Sequence, residues 1–183
     1  MVLPDGSEFV YAYAGEAITA GKVTMQAQTA SDHIKDLAVA AAVSAGATQL
    51  TVTNGSSTAI TASSSYTGSG TSVGTYEDGY LFVNDADGEG QAWSIKNHSA
   101  ASTSATLTIN LFDTDKVATA LTTSSQVGLL KNPQNGVEVW DVNDIDGIAA
   151  GVPRCDVTAN YYFWNQVYGP AAVLTNGTVV LGK

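Results

Sequence analysis

Tyr161 to Tyr168 hold five aromatic side chains (Tyr161, Tyr162, Phe163, Trp164 and Tyr168) before the chain turns at Gly169-Pro170. A second extended run, Ala171 to Leu174, leads through Asn176-Gly177 into Thr178 to Leu181. Aromatic and β-branched residues between Gly, Asn and Pro punctuation mark strands joined by tight turns. Strand alternation puts Tyr161 and Phe163 on one face and Tyr162, Trp164 and Tyr168 on the other. At least one of these faces must be buried, in a core or in an interface, unless the run serves as a sugar-stacking surface.

The same grammar recurs upstream. Glu8 to Ala14 sets Phe9, Tyr11 and Tyr13 on odd positions, and Thr106 to Leu111 alternates without error. Strands are also expected over Lys22–Thr29, Gln49–Asn54, Tyr80–Asn84, Gln91–Asn97, Val127–Leu130 and Val137–Val142. The pair across Asp85–Gly90 reads as a hairpin. A helix is expected within Ser31–Ala47, capped by Ser31 or Asp32, and one helical turn within Asp115–Leu121. The expectation is an all-β chain: a compact sandwich or barrel of short antiparallel strands with at most one or two short helices. One domain spans 1–183, with an N-terminal arm over 1–14 and a polar Ser/Thr/Gly-rich loop over 56–76.

Composition removes several functions. Charged residues are 13% of the chain, and 7 Lys+Arg against 17 Asp+Glu leave a net charge of -10. Arg154 is the sole arginine. With no basic patch to neutralise phosphates, neither nucleic acid nor anionic membrane is an expected partner. No basic segment followed by an apolar run opens the chain, and no apolar stretch has membrane-spanning length. The single cysteine, Cys155, reads as a small buried hydrophobe.

Chemistry-bearing motifs are sparse. Asp85-Ala86-Asp87-Gly88 and Asp144-Ile145-Asp146-Gly147 read as turns. Asp85, Asp87 and Glu89 make the better calcium candidate, yet they lack the helix-loop-helix ligand spacing, so no metal is expected. Ser31-Asp32-His33 has the letters of a hydrolase triad, but sequence neighbours cannot adopt its geometry. His33 and His98 read as solvent-exposed structural residues. The Asn-x-Ser/Thr sites at Asn54, Asn97 and Asn176 read as ordinary turns. No cofactor and no enzymatic activity are expected.

With these segments in view, the chain resembles small virion proteins of tailed phages. The residues that carry the resemblance are AGEAITAGKVT (Ala14–Thr24), GYLFVNDADGEGQAWSIKNHSAA (Gly79–Ala101), KNPQNGVEVW (Lys131–Trp140) and the segment from Gly151 to Lys183. The resemblance implies a capsid decoration (cement) protein that binds the major capsid protein on the outer surface of the head, as a homotrimer at local three-fold positions. It implies a capsid-binding arm carrying Phe9, Tyr11 and Tyr13, and a subunit interface containing Tyr162, Trp164 and Tyr168. The alternatives are a phage tail or fibre component, or a carbohydrate-binding module, recognising surface glycans.

Overall fold

The computed structural model describes residues 1–63, 65, 73–140 and 148–174. The second Asp-x-Asp-Gly segment, the Asn176-Gly177 turn and the Thr178–Leu181 run lie outside these. Every regular element among the described residues is a strand, so the protein is all-β. The chain divides into two compact units: Met1–Gln28 together with Pro133–Lys183, and Thr29–Asn132. The second is inserted in the first, where the composition had suggested one domain.

The split unit is a closed barrel. Its strands are β1 (Glu8–Ala14), β2 (Thr24–Met25), β9 (Asn135–Val139), β10 (Ala149–Pro153) and β11 (Tyr162–Tyr168), in the order β1-β11-β10-β2-β9. β1 pairs antiparallel with β11 and parallel with β9, which closes the ring. Its core is mostly Ala and Val (Ala12, Ala14, Val137, Ala150 and Val157), with Ile18 and Phe163.

The inserted unit holds β3 (Leu37–Ala38), β4 (Gln49–Thr53), β5 (Tyr80–Asp85), β6 (Ala92–His98), β7 (Thr106–Leu111) and β8 (Gln126–Leu130). They form one sheet in the order β3-β8-β5-β6-β7-β4, all pairs antiparallel. Val39, just after β3, bridges Val52 of β4, so the two end strands of the sheet meet. The core is dense in branched residues, among them Leu50, Val52, Leu81, Ile95, Leu107, Ile109 and Leu129. The alternation read from sequence in β4 and β7 appears directly as buried and half-exposed positions along the strands.

The expected helix over Ser31–Ala47 does not form. Its backbone bonds go outward instead: Val39 N–H to Ser125, Ala40 N–H to Thr51 and Val43 N–H to Leu121. The segment is alanine-rich and can bury only a thin helical stripe. Pairing with strands that already carry Leu and Val buries Leu37, Val39 and Val43 more completely, and tertiary packing outweighs helix propensity. The turn expected in Asp115–Leu121 is likewise extended, with Val117 and Leu121 bonded back to Ala47 and Val43.

The N-terminal residues are not a free arm. Met1 and Phe9 exchange backbone hydrogen bonds of 2.6 and 2.7 Å, folding 1–7 back as a hairpin on β1. β11 pairs along one edge of β1 from Glu8 to Tyr13, while the other edge is met by the folded-back Met1 and Val2 at its start and by β9 at Tyr13 and Ala14.

Candidate functional site

The outer face of β1 and β11 is the site that the split unit exposes. From Phe9 onward the register is regular: Phe9 opposite Gln166, Tyr11 opposite Trp164, Tyr13 opposite Tyr162. Between these positions Ala12 and Phe163 point into the barrel, so the large rings are sent outward. Tyr11 and Tyr162 stack in parallel with centroids 5.0 Å apart, Trp164 tilts against Tyr11 at 5.2 Å, and Tyr13 meets Tyr162 edge-on at 5.0 Å. The exposures of Tyr11, Tyr162 and Trp164 are 57%, 51% and 47%. A monomer rarely leaves such a ring cluster in water beside a core made largely of Ala and Val.

One end of this face is roofed. Phe9 is buried, with the Arg154 guanidinium 4.8 Å from its ring centroid. Arg154 also donates to Gln166 Oε1 at 2.8 Å and to Ser7 Oγ at 3.2 Å, which fixes it over the strand pair. Phe9 therefore belongs to the support of the face, not to an exposed arm. Tyr168 lies past a bulge, opposite Glu8, and is exposed. A groove of about 400 Å³ runs alongside, lined by Met1, Phe9, Arg154, Cys155, Tyr161 and Trp164 among others. Cys155 is exposed there, contrary to its reading as a buried hydrophobe, because it follows β10 where the chain leaves the barrel wall.

Both histidines contradict the expectation of exposure. His33 and His98 are fully buried in the inserted unit, joined through Tyr76. His33 Nδ1 lies 2.6 Å from Tyr76 Oη, and its Nε2 lies 3.1 Å from Asn54 Oδ1. Asn54 Nδ2 donates to the Thr58 and Ala101 carbonyls, so Oδ1 must accept, which assigns the hydrogen of His33 to Nε2 and makes Tyr76 the donor to Nδ1. His98 Nε2 accepts the Tyr76 amide at 3.0 Å, and its Nδ1 faces the Ser99 carbonyl at 2.8 Å. Burial, reinforced by the nearby Asp32 charge, pushes the Tyr76 phenol well above the usual tyrosine range. Asp32 itself is held below the usual carboxylate range, chiefly by the Ser56 hydroxyl that bonds it. Within Ser31-Asp32-His33, Asp32 and His33 thus serve structure, turned to different partners. Tyr76→Phe should cost about 1–3 kcal/mol by leaving buried His33 Nδ1 without a donor, read by urea unfolding. A change within error would mean that the hydroxyl bond contributes nothing net.

The acidic turn serves local structure. Asp85 accepts the Ala86 amide, Asp87 Oδ2 accepts the Thr122 hydroxyl at 3.0 Å, and the Asp87 carbonyl accepts Ser125 Oγ at 2.7 Å. Among the described residues no three His, Cys, Asp or Glu side chains converge as metal ligands would. No protein-family model, curated protein or solved structure matches the chain.

Proposed function

We propose that this is a structural virion protein: a decoration protein that binds and stabilises the outer surface of a phage head, as a trimer, with no catalytic step. The observation that carries the reading is the inverted distribution of bulk in the split unit. Its interior holds mostly Ala and Val, while Tyr11, Tyr13, Tyr162 and Trp164 form a ring cluster on the outside. Such a cluster is a ready-made interface centre, since aromatic anchors dominate interface energetics. A ligand that binds only the assembled lattice stabilises it by mass action, which requires a rigid β body and a complementary face. In this reading the face contacts the major capsid protein or a neighbouring copy through its side chains, since β11 already occupies one edge of β1 from Glu8 to Tyr13.

The second reading, recognition of glycans by a tail, fibre or carbohydrate-binding protein, draws on the groove beside Trp164. Against it, Tyr11 and Tyr162 spend their ring faces on each other at an interplanar angle of 3°. Sugar stacking needs an open face, and in this pair each ring covers one face of the other. Quantitative mass spectrometry of purified particles separates the two. A copy number on the scale of the major capsid protein is the expected result. A few copies per particle would move the chain to the tail, and absence from the particle would sink the virion reading.

A further inference from the structure

We propose that His98, backed by the Tyr76–His33 pair, is an acid latch: a second proton on its ring expels the Tyr76 backbone and frees the segments 54–63 and 73–78 from the six-stranded sheet. The inference concerns the inserted unit alone and stands apart from the head-binding reading.

His98 sits at the end of β6 and holds both segments. Its amide donates to Ser63 Oγ at 3.2 Å, and its carbonyl accepts the Ser63 amide at 3.1 Å. Its ring then grips the other segment through the Tyr76 amide. Gly74 passes so close that a Cβ there would lie 2.6 Å from Nε2. His33 holds the far end of Tyr76 and, through Asn54, the start of the first segment.

The arrangement works only with a neutral His98. Nδ1–H donates to Ser99 and the Nε2 lone pair accepts from Tyr76, which uses both nitrogens. A second proton must go on Nε2, where it would face the Tyr76 N–H across 3.0 Å, donor against donor. The ring is fully buried, so water cannot relieve the conflict.

The surroundings do little to favour the cation. Glu77, on the 73–78 segment, pulls toward protonation, but its carboxylate accepts bonds from Ser65 Oγ and the Gly74 amide. Asp78, on the same segment, has its carboxyl pushed up by burial and by Glu77. Asp32 is bonded to Ser56. Ile109 of β7 opposite, and Ser63 on the other segment, do not titrate.

Burial thus lowers the His98 ring below its ordinary value of 6.5, outweighing the Ser99 and Glu77 contributions. The sign follows. The opened chain takes the proton first, so the latch is at full strength above pH 6.5 and weakens as pH falls toward the folded-state value.

The test uses the full chain and His98→Gln, whose side-chain oxygen can accept from Tyr76 but does not titrate. Hydrogen-exchange protection of the Tyr76 and Ser63 amides is followed from about pH 7.5 to about pH 4.5. Wild-type protection should fall by up to about tenfold per pH unit, relative to the variant, below the ordinary histidine value. Parallel loss in both proteins would overturn the latch. If His98→Gln fails to fold, the wild type decides by NMR, since its two ring signals are separable with His33→Gln. A His98 midpoint below 6.5 that moves together with the Tyr76 amide supports the latch. A midpoint at or above 6.5 with the Tyr76 amide unmoved overturns it.

Discussion

Gly128→Ala should strongly destabilise the inserted unit, by on the order of 4 kcal/mol or more. Gly128 lies in β8, opposite Phe82 of β5. A Cβ there would sit 2.8 Å from the Ile34 carbonyl carbon, and closer still to its oxygen and to the tip of the Phe82 ring. The oxygen belongs to backbone, so it cannot turn aside as a flexible side chain would. Ile34 precedes β3, and the Leu129 amide bonds the neighbouring His33 carbonyl at 2.8 Å, so retreat of Ile34 would pull on the histidine network. That cost is a large part of the 5–15 kcal/mol that holds a typical domain folded. Gly55→Ala is the control, because nothing lies within 4 Å of a Cβ there. It should change stability by less than about 0.5 kcal/mol. Urea unfolding monitored at the Tyr76 and Leu129 amides reads both. A Gly128→Ala protein as stable as the control would refute the packing described around β8.

The second large effect concerns the aromatic face. If it is the centre of the head or trimer interface, Trp164→Ala should weaken assembly by roughly 30- to 1000-fold, the range for loss of an aromatic anchor worth 2–4 kcal/mol. Folding should suffer far less. Trp164 is 47% exposed in the single chain and loses mainly its contact with Tyr11, worth about 1 kcal/mol. Tyr11→Ala should act in the same direction, since Tyr11 contacts both Trp164 and Tyr162. Sedimentation with purified heads lacking the protein reads capsid binding, and analytical ultracentrifugation reads the oligomer. Unchanged binding and oligomeric state in both variants would remove the face from the assembly model. Loss in only one assay would say which partner covers it.

Much of the fold was legible because strand alternation is local. β1, β4 and β7 lie where their side-chain pattern placed them, and the hairpin across Asp85–Gly90 forms as β5 and β6. The separation of Phe163 from Tyr162 and Trp164 was legible for the same reason, although the pattern could not say which face would be covered. The helix over Ser31–Ala47 was misread because small residues carry little burial signal, and partners such as Ser125 and Leu121 come from far along the chain.

The sequence by itself determined that this chain makes short strands, which residues share a face in each, and that its net charge is -10. Only the tertiary structure decided where those faces point. β1 became a barrel stave, not an arm, because β11 pairs along it and β9 joins its end at Tyr13 and Ala14, both from more than a hundred residues away. His33 and His98 are buried because Asn54, Ser63 and Tyr76 arrive from separate segments to satisfy them. Periodicity follows from bond geometry and is written in consecutive residues, whereas burial of a polar ring or closure of a sheet depends on distant partners that no local pattern names.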